Sequence, residues 1–300
     1  MQLHVGCEFG YAATWPTPAV MLVQPHGDAP HRIVRETWTA EPALAPHEYR
    51  DGFGNRCQRF VLPAGATTLR YDAVVEVSGE PDEVDPAAPQ VPVEALPDGV
   101  LVYTLASRYC PSDALSNAAW QLFGGSPLGW ARVQAVCDWI HEHIVYGAKS
   151  TPLTDAVDVY VSRGGICRDF AHLAVAFCRA LNIPARYVFG YMPDIGVPPP
   201  YPPMDFHAWF EAYLGDRWWT FDARFNTPRI GRVPIGRGRD AVDVAMMTTY
   251  GSAQFRRMIV WTDPLEAAAE AGSPPDAGTS GRVAETAETT EALVLDRGHD

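Results

Sequence analysis

The chain has 300 residues, enough for two domains of ordinary size, and 47% of them are hydrophobic, as is typical of a globular protein with a buried core. Its 36 acidic and 23 basic residues give a formal net charge of −13, which argues against a nucleic-acid-binding protein. No apolar run reaches the ~18 residues that a membrane span needs, and no signal peptide is evident. We therefore expect a cytoplasmic protein with neither nucleic acid nor a membrane as partner.

The first 80 residues have the pattern of β-strands. Apolar and polar or glycine residues alternate from Leu3 to Tyr11, which is the period of a half-buried strand. Further strands are predicted at 19–23, 32–39, 56–62 and 68–77. Several short strands at this spacing predict a small all-β sandwich domain over residues 1–80. Residues 81–99 are acidic and rich in proline, which predicts a linker.

From about residue 100 the pattern changes to helices followed by strands. Helices are predicted at 111–124, 130–144, 154–161 with Thr154 as N-cap, and 167–181, and strands at 186–191, 206–214 and 217–225. Helices followed by strands, rather than alternating with them, indicate an α+β architecture, here for a second domain over residues 100–263. Residues 264–300 are rich in Ala, Glu, Thr, Gly and Pro, which predicts a disordered tail.

The six cysteines, at positions 7, 57, 110, 137, 167 and 178, have no paired spacing, so we expect reduced thiols rather than a disulfide framework. Cys137 and His141 lie four residues apart on one predicted helix, which is a spacing that metal ligands use. The chain contains neither a CxxC pair nor an HExxH motif, however, and Cys137 falls on the apolar side of its helix. The sequence predicts no metal site and no cofactor.

Cys167 differs from the other cysteines because it follows Gly164-Gly165 at the start of a predicted helix. A thiol attacks a carbonyl as the thiolate, and a helix N-terminus lowers the thiol pKa because its free N–H groups favour negative charge. The glycines would allow a sharp entry turn, and the N–H groups could hold a developing oxyanion. A cysteine alone does not establish a nucleophile, since free cysteines are among the most buried residues.

A partner for Cys167 is predicted in the hairpin of the last two strands. Gly215-Asp216 reads as a two-residue loop, so Leu214 faces Arg217. In that register His207 and Asp222 are diagonal neighbours on one face, within side-chain reach. A three-residue loop would place them on opposite faces. A histidine and a carboxylate are what a nucleophilic cysteine needs as base and orienting group, although a structural hydrogen bond is the other interpretation of this pair.

The motifs at these positions resemble the transglutaminase-like superfamily of papain-type cysteine enzymes. The resemblance covers roughly residues 130–250 and depends on segments 163–171, 182–191, 207–209 and 218–223. It implies a Cys-bearing helix against an antiparallel sheet, and residues 1–80 resemble the β domain that accompanies this module in bacterial proteins. The predicted fold class is therefore α+β, with a papain-like catalytic domain preceded by a small β-sandwich.

The resemblance also implies a mechanism for a Cys167–His207–Asp222 triad. Cys167 would form a thioester with an amide substrate, His207 would move the proton, and Asp222 would orient the imidazole. The backbone N–H of Cys167 and an upstream aromatic side chain, for which Tyr146 is the candidate, would hold the oxyanion. Attack on the thioester by an amine would give a transglutaminase and attack by water a protease or amidase. We expect a protein or peptide substrate, with the oligomeric state left open.

Two alternatives remain at this point. The chain could be a non-catalytic protein- or peptide-binding module that retains the fold, but an incomplete triad would be its sign, and all three positions are filled. The arginines at 224, 229, 232, 237 and 239 form a basic cluster in an acidic protein. They could receive an acidic substrate, yet pairing with the chain's own carboxylates is the interpretation that the surplus of acidic residues favours.

Overall fold

The computed structural model describes residues 1–148, 150–199, 201, 203–265 and 294–296. The strands are β1 Gln2–Ala13, β2 Thr17–Met21, β3 His31–Glu41, β4 His47–Arg50, β5 Arg56–Leu62, β6 Gly65–Val77, β7 Val145–Tyr146, β8 Gly164–Gly165, β9 Ala185–Tyr191, β10 His207–Leu214, β11 Arg217–Phe221, β12 Val233–Gly238, β13 Met247–Thr249, β14 Ala253–Leu265 and β15 Val294–Asp296. The α-helices are α1 Asp98–Leu101, α2 Ser116–Phe123, α3 Trp130–His143, α4 Ala156–Ser162 and α5 Cys167–Ala180, and Val93–Ala95 and Val102–Thr104 form 3-10 helices. Within the described residues no helix has both the length and the apolar character to cross a bilayer.

Two sheets pack around the core of the N-terminal region. One has the strand order β14-β1-β6-β3 and the other β15-β13-β2-β5-β4. Alternate residues of β1, including Leu3, Val5 and Phe9, point into this core and are fully buried. Strands β13 and β14 come from beyond residue 245, so the sheets join segments from distant parts of the chain. The domain boundaries given above stay predictions.

Most of the predicted disordered tail lies outside the described residues. Within residues 264–300, Pro264 and Leu265 end β14, where they pair with Leu3 and Gln2. Residues 294–296 form β15, whose backbone pairs in parallel with β13.

The third sheet, with the order β11-β10-β9-β12, is antiparallel and packs against α5. Apolar residues of α5 at helical spacing, among them Leu173, Phe177 and Cys178, are fully buried. Helices α2, α3 and α4 pack on the other sides of α5 and complete a second core. A cysteine-bearing helix against an antiparallel sheet confirms the predicted α+β, papain-like fold.

The register of the β10–β11 hairpin is the predicted one. Leu214 pairs with Arg217, and Gly215 takes the φ of 64° that a two-residue loop favours. Strand β11 ends at Phe221 rather than at residue 225. The chain turns there because Oδ1 of Asp222 accepts hydrogen bonds from the backbone N–H groups of Arg224, at 3.1 Å, and Phe225, at 3.2 Å.

Two predicted helix starts differ from those observed. Helix α2 begins at Ser116 instead of residue 111. Helix α4 begins at Ala156, and its N-cap is Asp155 rather than Thr154. Oδ1 of Asp155 accepts the N–H groups of Val157 and Asp158, so the carboxylate supplies the acceptor that the free N–H groups of the first turn need.

Candidate active site

Cys167 is the first residue of α5, and close packing fixes the segment before it. Gly164 and Gly165 do not form the predicted sharp turn; they form β8, which pairs in parallel with β7. A Cβ added to Gly165 would lie 2.7 Å from Cβ of Asp169, closer than real Cβ contacts. Oδ2 of Asp169 accepts the N–H of Ile166 at 2.9 Å, which ties this strand to the first turn of the helix.

The thiol of Cys167 is protonated in the free protein at neutral pH. Burial raises its pKa to about 11, and the negative charge of Asp205 acts in the same direction. The Arg224 guanidinium and the backbone N–H of Ala208 lower the pKa by less. The thiol pKa is thus raised rather than lowered in the free protein, because desolvation outweighs the effects of Arg224 and the Ala208 N–H. The contribution of the helix N-terminus itself stays a prediction. A base must remove the proton when the thiol reacts.

His207, the first residue of β10, is buried and directed at Asp222. Its Nε2 lies 2.8 Å from Oδ2 of Asp222. A carboxylate only accepts hydrogen bonds, so Nε2 carries the proton and Nδ1 keeps a lone pair. Burial lowers the pKa of His207, although Asp222 opposes this, so the imidazole is neutral near pH 7. His207 and Cys167 line one cavity. A neutral imidazole held in this way can accept a proton at Nδ1.

Asp222 is held as a carboxylate by groups from two directions. Besides His207, the Nη2 of Arg232 donates to its Oδ2 at 2.9 Å. Burial opposes ionisation, but His207 and Arg232 hold the pKa of Asp222 well below its usual range. Arg232 also donates from Nε to Asp82 at 2.8 Å, in the predicted linker. The sequence did not predict Arg232 as the partner of Asp222; it was only one member of the arginine cluster. The signal that could have identified it is that a buried carboxylate needs a cation nearby.

Tyr146, the predicted oxyanion donor, ends β7 and pairs with Gly165, two residues before Cys167. Its side chain is half-exposed, and the guanidinium carbon of Arg224 lies 3.7 Å from the ring centroid. Burial raises the pKa of its hydroxyl to about 12, and the neighbouring Cys167 adds to this. The hydroxyl makes no hydrogen bond to any group of the described residues. Its role at the site stays a prediction.

The cavity that Cys167 and His207 share is small and mostly apolar. Its volume is about 70 Å³. Tyr187 and Phe189 of β9, Phe206 and the segment 241–246 form its walls, and Asp205 and Arg168 are its other charged residues. A group bound here would lie against the thiol and the imidazole together.

The polar-aromatic face of the hairpin borders a different cavity. Besides His207, this face carries Trp209, Glu211 and Thr220. These three residues line a cavity of about 580 Å³ whose walls do not include Cys167.

Three arginines of the cluster pair with the chain's own carboxylates, as predicted, whereas among the described residues Arg224 and Arg229 have no salt-bridge partner: Arg224 lies over the Tyr146 ring and Arg229 donates to the backbone oxygen of Pro193 at 3.0 Å. Arg237 contacts Glu211 at 3.1 Å, Arg239 contacts Asp243 at 2.9 Å, and Arg232 contacts Asp82 and Asp222. All six cysteines lie in the described part of the chain, and none forms a disulfide. Over that same part, no three His, Cys, Asp or Glu side chains are grouped so that they could hold a metal ion.

The fold and the site define a class: an α+β protein of papain-like architecture, with a cysteine at a helix N-terminus and a buried His–Asp pair on the facing sheet. The chain belongs to the transglutaminase-like superfamily. The model of that superfamily matches residues 121–223, a range that contains Tyr146, Cys167, His207 and Asp222. The chain is also similar to the crystal structure of a "putative cysteine protease" from Cytophaga hutchinsonii. The two share 32% identity and a TM-score of 0.80, over 89% of this chain and 91% of that chain.

Mycobacterial proteins are similar to the chain as well. An uncharacterized protein of Mycobacterium tuberculosis is 29% identical over 248 residues, which is 74% of this chain and 78% of that protein. An uncharacterized protein of Mycobacterium leprae is 25% identical over 223 residues, 68% of this chain and 75% of that protein. These likenesses extend beyond the range of the superfamily model, to most of the length of the relatives.

Proposed function

We propose that the chain is a cysteine-dependent hydrolase of amide or peptide bonds that works through a thioester on Cys167. The observation that supports this best is the buried 2.8 Å contact between Nε2 of His207 and Oδ2 of Asp222. It leaves Nδ1 of the imidazole as the free basic nitrogen, and His207 and Cys167 line the same cavity.

Acylation begins from a neutral thiol and a neutral imidazole. Sγ of Cys167 attacks the carbonyl carbon while Nδ1 of His207 takes the thiol proton, which overcomes the raised pKa of the thiol. Asp222 stabilises the imidazolium that forms and keeps it in orientation. The imidazolium then gives its proton to the leaving nitrogen as the C–N bond breaks. Arg232 keeps Asp222 ionised throughout.

The oxyanion of the tetrahedral intermediate needs donors that are already in place. The backbone N–H of Cys167 lies in the first turn of α5, where N–H groups have no partner within the helix. The Tyr146 hydroxyl, which has no hydrogen-bond partner among the described residues, is the second donor in this proposal. Arg224, stacked on the Tyr146 ring, adds positive charge on the same side.

Water completes the reaction in this proposal. His207, again neutral, takes a proton from water as the water oxygen attacks the thioester carbonyl, and the thiol leaves with that proton. The Cytophaga hutchinsonii relative is described as a putative cysteine protease, which favours hydrolysis over transfer to an amine. Transfer of the acyl group to an amine is the alternative, and the following experiment would detect it.

The test compares the wild type with Cys167→Ala and with Cys57→Ala, a control thiol buried in β5. Each protein is mixed with a panel of internally quenched peptides, and in parallel with casein and dansylcadaverine. We expect peptide cleavage by the wild type and by Cys57→Ala, and none by Cys167→Ala. Dansyl incorporation without cleavage would replace the hydrolase with a transferase. Activity that survives in Cys167→Ala would contradict the proposal. A wild type that neither cleaves the peptides nor incorporates dansylcadaverine, and whose Cys167 does not react with iodoacetamide, would contradict it as well.

A further inference from the structure

Asp205 supplies an unpaired negative charge to the cavity beside the thiol. It lies two residues before His207 and lines that cavity. Its carboxylate accepts the backbone N–H of Phe206 at 2.7 Å, and within the described residues it has no salt-bridge partner. The other charged lining residue, Arg168, is already bonded to Asp169 at 3.1 Å and to Ser150 at 2.9 Å. Cys167 and His207 are uncharged. Arg224, whose positive charge opposes the raised pKa of Asp205, lies outside the lining and forms no salt bridge with Asp205.

Most of the remaining lining is apolar and leaves limited room. Phe189, Phe206, Val244, Ala245 and Met246 form this apolar wall. One water needs about 10–15 Å³ of such volume, so the cavity of about 70 Å³ holds about five to seven water-sized groups. That is the size of an aliphatic side chain such as those of alanine, valine or leucine, and the wall offers no polar partner to a carboxamide.

We propose that this cavity binds the N-terminal residue of a peptide: Asp205 binds the α-ammonium group, and the apolar wall binds a small aliphatic side chain. The inference depends on the proposed function and makes it more specific, because the acyl group carried by Cys167 becomes a single amino acid. The chain would then be an aminopeptidase for small apolar N-terminal residues.

Asp205 is suited to bind the ammonium group of the residue that acylates Cys167, and it disfavours attack on the thioester by an amine. A negative charge beside an amine stabilises its protonated form, and a protonated amine has no lone pair with which to attack a thioester. Asp205 would therefore impair a transamidation step while it strengthens binding of a free N-terminus. Burial also raises the pKa of Asp205 to about 6, because the carboxylate is removed from water. A bound ammonium group would stabilise the carboxylate in place of that water.

The reaction balances with water as the co-substrate. The Sγ–C bond forms between Cys167 and the carbonyl carbon of the first residue, and the C–N bond to the second residue breaks. The thiol proton passes through His207 to the new N-terminal amine of the shortened peptide. Water then adds to the thioester carbonyl, its proton returns to sulfur, and the free amino acid leaves.

The test compares leucine 7-amido-4-methylcoumarin with its N-acetyl derivative as substrates of the wild type, Asp205→Asn and Asp216→Asn. Asp216 is an exposed aspartate in the hairpin loop, outside the cavity. We expect the wild type and Asp216→Asn to prefer the free amine by at least about tenfold in kcat/KM, because a hydrogen bond to a charged group is lost on acetylation. Asp205→Asn should lower kcat/KM for the free amine relative to the N-acetyl substrate and bring the ratio near one; the ratio is the readout because Asp205 also acts on the pKa of Cys167 and so affects both substrates.

A second variant tests the wall. Ala245→Leu fills part of the cavity, so the leucine substrate should lose at least about tenfold in kcat/KM while the alanine analogue loses less. An N-acetyl substrate cleaved as well as the free amine by the wild type would overturn the inference and leave the hydrolase intact. Equal losses for the leucine and alanine substrates in Ala245→Leu would overturn the placement of the side chain.

Covalent labelling separates the inference from the proposed function if neither coumarin substrate is cleaved. Leucine chloromethyl ketone and its N-acetyl derivative alkylate a reactive cysteine without turnover. Faster labelling of Cys167 by the free amine, lost in Asp205→Asn, would support the inference, and equal rates would overturn it. If neither ketone nor iodoacetamide labels Cys167, the proposed function fails and the inference fails with it.

Discussion

Arg232 donates a 2.9 Å hydrogen bond to Oδ2 of Asp222, the carboxylate oxygen that His207 also contacts. The arginine is itself held by Asp82, so a residue of the 81–99 segment supports the His–Asp pair. All of these side chains are largely buried. In such surroundings a charge without a partner is costly, so removal of one member affects the others.

Replacement of Arg232 by glutamine should destabilise the protein by about 3–5 kcal/mol, because Asp82 and Asp222 would lose a buried counter-charge. Urea unfolding gives the free energy. The matched control is Arg217→Gln, whose salt bridge to Glu83 is 52% and 69% exposed and should contribute no more than about 1 kcal/mol. Equal losses in the free energy of unfolding for the two variants would show that the salt bridges of Arg232 contribute no more to stability than an exposed one.

Asp222→Asn should reduce kcat by about a thousandfold or more, with a smaller effect on KM. A neutral amide cannot stabilise the imidazolium and permits the wrong tautomer of His207. Steady-state kinetics on a cleaved peptide measure this, and circular dichroism checks that the variant folds. A loss below about tenfold would mean that Asp222 has only a structural role.

The pH dependence of Cys167 alkylation should reveal its base. The thiol pKa is raised to about 11, so without a base the thiolate fraction falls about tenfold for each pH unit below that value. His207→Ala should therefore react with iodoacetamide at a rate that rises about tenfold per unit from pH 7 to 10. The wild type should react faster near neutral pH, with a shallower rise. Identical profiles would remove His207 from the role of base.

Tyr146→Phe tests the hydroxyl group alone. The phenylalanine ring keeps the stacking with Arg224, so the variant should be as stable as the wild type. Loss of an oxyanion donor should lower kcat about a hundredfold or more with KM nearly unchanged. An unchanged kcat would assign Tyr146 to packing at the edge of the site.

Gly215→Ala should destabilise the protein by about 1 kcal/mol, because Gly215 has φ of 64° and a Cβ is disfavoured in that conformation. Guanidinium unfolding of this variant and of Asp216→Ala, its neighbour in the same loop, measures the difference. Because the hydrogen bonds of β10 and β11 would hold the register, kcat should stay within about twofold. A large loss of activity with normal stability would indicate a shift in register between His207 and Asp222.

The sequence was sufficient where local rules determine the structure. A two-residue loop and the period of a strand place His207 and Asp222 on one face, and the hairpin has that register. The superfamily was evident because several motifs occur in order along the chain.

Where distant segments meet, the sequence was not sufficient. Nothing local indicates that β14 pairs with β1, which begins some 250 residues earlier. Arg232 follows Asp222 by ten residues, and no helical or strand periodicity in the intervening sequence indicates that the two side chains meet. The raised pKa of Cys167 depends on burial by several elements at once, whereas the sequence revealed only the helix N-terminus.

The most direct test of the central claim is a pre-steady-state reaction with p-nitrophenyl acetate, an activated ester, followed by mass spectrometry of the quenched protein. We predict a burst of nitrophenolate equal to the protein concentration and an acetyl group on Cys167, both absent in Cys167→Ala. A burst of the same size in Cys167→Ala, or an acetyl group on another residue, would contradict the assignment of Cys167 as the nucleophile.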